Sequence, residues 1–339
     1  MYEPLISFCF TTYKRPDYLK KTLQSVLLQT YTNYEVIVSD NDTEQSGCAA
    51  VEGFNDGRFK YFANEQNLGM KKSFNRSLQK ASGDYIVMIA DDDPVYPDML
   101  STLVHLAETY PGYGLYLGGC NWFCTHPNIA ALYSLKVGMN SCLANKPVGE
   151  VTTFGASEFL NNFFNFNIFP SYLWSTGMVR REILVEKGGV PDYDTPFLGD
   201  YAYLSIMASH SGCVVINDAL GHQTIHEQNF GRAQNEQIGK AAVNFIDYVG
   251  EKIKHVDRWP EIEQNMKRFV ALWVVTHLVF LKRYYSIYPQ NRDKKLNDHI
   301  RDVLKLPLME NYRLKYRLKA GMPVLHDFLV TQKRKWSRQ

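Results

Sequence analysis

No run of about 20 apolar residues occurs in this 339-residue chain, so a spanning helix is not expected. The nearest approach is Phe269 to Leu281, thirteen uncharged residues bounded by Arg268 and Lys282. Two readings stand for it: a helix buried in a core or subunit contact, which is favoured, and a helix lying in a membrane interface. No glycine-rich dinucleotide fingerprint follows the first apolar run, and no lysine-bearing phosphate loop is present. Thr12-Tyr13-Lys14-Arg15-Pro16 stands there instead, so a bound nucleotide is held in another way. Cysteine is sparse. Cys120 and Cys124, four apart, have no matching second pair, which argues against a zinc site. Cys9 and Cys213 sit in apolar runs and read as buried thiols. No leader precedes Pro4-Leu5-Ile6, already strand-like, so the expected compartment is a reducing cytosol. There is no internal repeat.

What is abundant is aromatic: 22 Tyr and 19 Phe, enough for deep cores or for surfaces that meet sugars, partners or a membrane interface. Formal net charge is +2, unevenly spread. Residues 282–339 hold 15 Lys or Arg against 5 Asp or Glu, leaving a mildly acidic body. Such a tail suits acidic lipid, nucleic acid or another subunit.

Along the first half, short apolar runs alternate with helical patterns. Strands are expected at 5–10, 35–39, 59–62 and 85–90, and helices at 18–29, 70–81 and 97–110. This alternation predicts a mostly parallel sheet covered on both faces. Further on, strands are expected at 114–117, 175–180 and 213–217, and helices at 181–187, 200–211, 241–253 and 269–285. Residues 161–169, crowded with Asn and Phe, read as a loop or irregular helix over the site.

In parallel sheets ligands sit beyond the carboxyl ends of the strands. Three expected strands end in polar clusters: Thr11-Thr12-Tyr13, Asp40-Asn41-Asp42 and Asp91-Asp92-Asp93. The last is the most telling. Three adjacent carboxylates at the end of an apolar run repel one another and lose water, a cost best explained by a divalent cation carrying phosphate. A polar turn ending in Pro94 is the plainer alternative.

Taken together these motifs resemble the family 2 glycosyltransferases of the GT-A fold, over about residues 4–230. The resemblance implies an α/β nucleotide-diphospho-sugar transferase fold: a mostly parallel central sheet flanked by helices, with a helical C-terminal extension. It implies a catalytic domain at 1–235, with a nucleotide-binding half at 1–111 and an acceptor half at 112–235. Residues 236–339 would then be a helical, basic region for membrane association or oligomerisation.

Roles follow from the same resemblance. Thr12 and Tyr13 line the nucleotide pocket, and Arg15 approaches the diphosphate. Asp40 accepts a hydrogen bond from a base N–H, which favours a uridine or thymidine donor over guanosine. Asn67 and Lys72 touch the nucleotide; a solvated helix face explains the lysine about as well. Asp92 and Asp93 match the family's metal-site pair through their distance to Pro97. Asp93 is assigned to the metal, Mn2+ or Mg2+, and Asp92 to the ribose or the metal's water shell. Asp91 fills a slot that varies in the family, and Ala90 stands where many members have an acid. Asp200, entering a helix after Gly199, is the general base of an inverting single displacement. Trp174 is a candidate to stack on a sugar. His226 in His222-Gln-Thr-Ile-His226 coordinates the metal or binds the diphosphate, and Arg232 clamps phosphate.

The expected function is therefore metal-assisted transfer from a nucleotide-sugar, UDP-sugar first, to a glycan or lipid-linked glycan. The setting would be cytoplasmic, with peripheral contact to an anionic membrane or a homo-oligomer formed through the basic tail. A sugar-1-phosphate nucleotidyltransferase is the enzymatic alternative, disfavoured because Thr11–Pro16 contains no glycine. A non-catalytic glycan-binding module is the other. Nucleic acid is not an expected partner, since no recognition motif is present.

Overall fold

The structure, a computed structural model, describes residues 2–124, 146–168, 174–226, 235–288 and 295–322. One eight-stranded sheet forms its centre, in the order β3-β2-β1-β4-β7-β5-β8-β6. The strands are β1 (Ile6–Thr12), β2 (Tyr34–Asp40), β3 (Phe59–Ala63), β4 (Tyr85–Ala90), β5 (Leu115–Cys124), β6 (Val151–Phe154), β7 (Gly177–Arg180) and β8 (Cys213–Ile225). Strands β1 to β4 pair in parallel, as do β5 and β8, while β7 and β6 run against their neighbours.

Every residue of β1 and β2 is buried, because helices cover both faces. On one face α1 (Pro16–Leu27), α2 (Cys48–Glu52) and α4 (Met99–Thr109) pack on Phe8, Phe10, Val36, Val38, Val87 and Ile89. The other face carries α3 (Met70–Lys80), α5 (Ala156–Phe164), α6 (Arg181–Glu186) and α7 (Gly199–Ser211). It also meets the C-terminal helices α8 (Ile238–Ile253), α9 (Trp259–Ile287), α10 (Leu296–Lys305) and α11 (Arg313–Gly321).

The sheet and the helices of the expectation are present, with three corrections. Residues 156–164 form a regular helix that fills the core. Phe163 stacks on Phe269 of α9 at 5.9 Å, and Phe164 meets the same ring edge-on at 5.5 Å. The mixture of Asn and Phe is an amphipathic face, with Phe159, Phe163 and Phe164 buried. Residues 174–176 form a 3₁₀ turn, so the expected strand starts at Gly177. Strand β8 runs on to Ile225, because Ala219 to Ile225, with polar His222, Gln223 and Thr224 among them, pairs with Gly119 to Cys124 of β5. Residues 269–281 lie within α9, where Val270, Val274, Leu278 and Leu281 are buried, so the burial reading holds. Among the described residues no helix is long and apolar enough to cross a membrane.

Candidate active site

Register builds the rim. Thr12 lies opposite Asp40, Asp40 opposite Ala63, and Thr11 opposite Ala90. The three polar clusters therefore share one edge of the sheet.

The triplet is buried, and each member has a different partner. Asp91 accepts from Thr12 Oγ1 at 2.7 Å and pairs closely with Arg15 Nη2, while its carbonyl accepts from Thr22 Oγ1 at 2.8 Å. Asp92 Oδ2 accepts from Arg15 Nη1 at 2.7 Å and faces His226 Nε2 at 3.1 Å. Asp93 Oδ1 accepts the Thr224 N–H at 3.0 Å. The His226 ring is stacked on Tyr18, 4.5 Å between centroids and 17° between planes.

Burial and the neighbouring Asp92 charge push Asp91 up to about 7, against Arg15 and Thr12. Burial raises Asp93 well above the usual carboxylate range, with Asp92 adding to it. At Asp92 burial also opposes charge, but the His226 contact and Arg15 outweigh it and hold the carboxyl low. Among the described residues the Arg15 guanidinium pairs with two of the three carboxylates, Asp91 and Asp92, and Asp93 has only a backbone donor, so the cluster has unmet demand for positive charge.

Among the described residues no three His, Cys, Asp or Glu side chains gather into a metal-holding group. The residues present still fit a hard divalent ion of the kind that travels with phosphate. Such an ion takes one or two carboxylates and fills its remaining positions with phosphate oxygens and water. Asp93 supplies a buried carboxylate whose Oδ1 accepts from Thr224, and the preceding Asp92 faces His226.

Asp40 is completely buried and already well satisfied. Its oxygens accept from Asp42 N–H at 2.8 Å, Gly47 N–H at 2.9 Å and the Tyr61 hydroxyl at 2.8 Å. It thereby shapes the 40–47 turn, and a Cβ at Gly47 would fall 2.8 Å from its Oδ2. Asn41 braces the next loop, its Oδ1 accepting from Asn64 Nδ2 and Leu68 N–H, both at 3.1 Å. Asn67 is exposed and accepts its own loop's Gly69 N–H at 2.9 Å, and Lys72 is exposed on α3. Tyr13 is 44% exposed at the rim, available for a flat ligand face.

Asp200 sits in the first turn of α7. Burial raises its carboxyl to about 6, opposed by the Tyr201 and Asp200 backbone N–H groups. The helix is entered through Leu198 in the left-handed region, φ 61° and ψ 14°. A bulky residue rarely adopts this conformation, and such strain concentrates at functional sites. The 3₁₀ turn before β7 packs against both β4 and α7, and Ser175 Oγ accepts Ala90 N–H at 3.4 Å, one residue before the triplet.

Arg232 and the Trp174 side chain lie outside the described residues. Missed from sequence were Tyr18, Thr22, Thr224 and the weight of Lys71 relative to Lys72. Lys71 had a readable signal: it stands three residues before Phe74 and seven before Leu78, on the buried face of α3.

A family model described as glycosyl transferase family 2 matches residues 7–184. Among curated proteins, a Campylobacter jejuni GalNAc(5)-diNAcBac-PP-undecaprenol beta-1,3-glucosyltransferase is 32% identical over 120 residues, 34% of this chain and 38% of that protein. The Escherichia coli UDP-Glc:alpha-D-GlcNAc-diphosphoundecaprenol beta-1,3-glucosyltransferase WfgD is 33% identical over 93 residues, 27% of this chain and 37% of that protein. The chain thus spans less than two-fifths of the length of these relatives. Among solved structures, S. aureus TarS in complex with UDP-GlcNAc superposes with a TM-score of 0.58 at 15% identity, covering 88% of this chain and 79% of that one. A Pyrobaculum calidifontis mannosyltransferase, PcManGT, with GDP-Man and Mn2+ gives 0.52 at 14% identity, covering 100% and 89%.

Proposed function

Since the chain belongs to glycosyl transferase family 2 and has the GT-A fold, we propose that it moves a sugar from a UDP-sugar to a hydroxyl of a lipid-linked glycan, inverting the anomeric carbon. One observation carries this reading: three buried carboxylates at the carboxyl rim of a parallel sheet, two of them paired with Arg15. Both glucosyltransferase relatives are named for undecaprenyl diphosphate-linked acceptors, which supports the acceptor class. One of them is named for UDP-Glc, and the TarS complex holds UDP-GlcNAc, which supports the donor.

Mn2+ or Mg2+ would be held by Asp93 and His226, with Asp92 in its water shell, and supplies charge neutralisation at the donor diphosphate. The chain's own groups do the rest. Tyr13 packs on the base or ribose beside Thr12, and Asp40 takes the base N–H at its remaining acceptor position while keeping the 40–47 turn in shape. Arg15 bridges Asp91 and Asp92 and lends its charge to the diphosphate. Asn67 and Lys72 border the nucleotide, and Arg232, outside the described residues, would supply a further cation for phosphate. Asp200 takes the proton of the acceptor hydroxyl as that oxygen bonds to the anomeric carbon. The bond from that carbon to the diphosphate oxygen breaks on the opposite face, and UDP departs. A carboxyl held at about 6 is a base matched to neutral pH.

The basic C-terminal region would bring the enzyme to the bilayer that carries such acceptors. Helix α11 has four cations and no acid between Arg313 and Gly321, with Leu314 67% exposed. A panel of UDP-, dTDP- and GDP-sugars, screened by thermal shift with Mn2+ and then for UDP release with lipid-linked glycan, tests the reading. Stabilisation by UDP-sugars is expected. Stabilisation by GDP-sugars alone, or by none of the panel, overturns it.

A further inference from the structure

We propose that Lys71 is a positioning residue, tying the donor-side helix α3 to the segment that presents Asp200. The role of Asp200 rests on the reading above; the tether itself does not. Lys71 is only 7% exposed, and burying an ammonium is costly unless its donors are met. One short segment of chain surrounds this ammonium with a carbonyl, a ring face and a carboxylate. Nζ donates to the Thr195 carbonyl at 2.5 Å, lies 3.9 Å above the Tyr193 ring, and stands 3.9 Å from Asp192 Oδ1. Its stem runs beside Gly199, where an added Cβ would lie 3.7 Å from Lys71 Cε. Lys71 thus spans the loop from Asp192 to the residue before Asp200.

A second tether lies one helical turn along the same face of α3. Asn75 accepts Val190 N–H at 2.7 Å and donates to the Val190 carbonyl at 3.1 Å. From the other side, α8 holds the loop through Asn244 Nδ2 to the Tyr193 carbonyl at 2.9 Å. The loop is also closed on itself, Tyr193 hydroxyl to the Phe197 carbonyl at 2.7 Å.

The reason for so much holding lies at Leu198. A leucine in the left-handed region persists only where its surroundings over-determine it. Releasing Thr195 lets the loop relax, and Asp200 moves with it. The same end of α3 begins at Gly69, beside the Asn67 loop that Asn41 fastens to β2. The first turn of α3 therefore joins donor loop and base. Burial lowers the Lys71 ammonium to about 8, partly offset by Asp192.

The test compares the full chain with Lys71→Met and Lys71→Arg. Amide hydrogen exchange without ligand is expected to rise at least about tenfold in peptides covering 192–200 of Lys71→Met. Strands β1 and β4 should be unchanged, and Lys71→Arg should recover part of the protection. In transfer assays Lys71→Met should lower kcat by about 10- to 100-fold, as a small misplacement of a catalytic group does, with the UDP-sugar Kd within about twofold. If Lys71→Met loses its fold in a thermal melt, Lys71→Gln, which keeps an N–H donor without the charge, takes its place. Unchanged exchange at 192–200 overturns the tether. Raised exchange with undiminished kcat overturns the positioning role. A wild-type protein that binds no nucleotide-sugar counts against the proposed function, while the exchange result still decides the tether.

Discussion

His226 Nε2 lies 3.1 Å from Asp92 Oδ2, joining two sites 134 residues apart. The contact places the end of β8 against the end of β4 and gives Asp92 a second nitrogen partner beside Arg15. Tyr18, stacked on the imidazole, fixes the ring's plane from α1. The aspartates, the arginine and the histidine therefore form one electrostatic unit, and removing any member changes the others.

Arg15→Ala leaves Asp91 and Asp92 buried without their guanidinium. Breaking a buried pair on one side costs about 3 kcal/mol. Burial has already raised Asp91 to about 7, and without Arg15 it rises further. A carboxyl whose folded pKa exceeds its unfolded value loses stability as pH rises through that interval. The deficit relative to wild type should therefore be largest above pH 7 and shrink on acidification, read from urea unfolding at several pH values. A pH-independent deficit contradicts this account.

Asp200→Asn should leave UDP-sugar binding intact and reduce transfer by about 10²- to 10⁴-fold, the usual worth of a positioned base. In the wild type, kcat/KM should climb with pH and level off above about 6, as the carboxylate forms. The same raised carboxyl costs stability at neutral pH, so the Asn variant should melt roughly 2–4 °C higher at pH 7. Full retained transfer would remove Asp200 from the mechanism.

Much of this site is readable in the sequence because parallel strands leave a strong trace. Ile86 to Ile89 is uninterrupted and apolar, so the abrupt change at Asp91 locates the rim, and β1 and β2 end in the same way. Contacts made late in the chain leave less. Strand β8 looks like a strand and a loop because its second half is polar where it edges the site. Helix α5 is hidden by its asparagines, of which Asn161 is itself buried and accepts from Asn265 of α9 at 3.1 Å, beside the phenylalanines that pack on the same helix. Lys71 and Lys72 are equal as letters; only the helical period that carries Phe74 and Leu78 inward separates them.

Tyr61→Phe should lower stability by about 1 kcal/mol, the net worth of one hydrogen bond, because Asp40 keeps its two backbone donors. Asp40→Ala loses all three and should weaken both stability and donor binding. Thermal melts and donor titrations on the pair separate the two roles of Asp40. Equal loss of donor affinity in both variants contradicts a base contact by the carboxylate.

Arg313→Glu with Arg317→Glu reverses two charges on α11, each cation near an anionic surface being worth about 1 kcal/mol. Sedimentation with phosphatidylglycerol vesicles should fall at least tenfold, and wild-type binding should weaken as salt is raised. Unaltered binding would assign the basic region to subunit contact or solubility.

The central claim is that the Asp92–Asp93 pair receives a divalent cation together with a nucleotide-sugar diphosphate. Calorimetric titration of a UDP-sugar into the wild type and Asp93→Ala, each with Mn2+ and with EDTA, tests it most directly. The account predicts that Mn2+ tightens wild-type binding at least tenfold and that Asp93→Ala abolishes this gain while remaining folded. Equal donor affinity in all four titrations would contradict it.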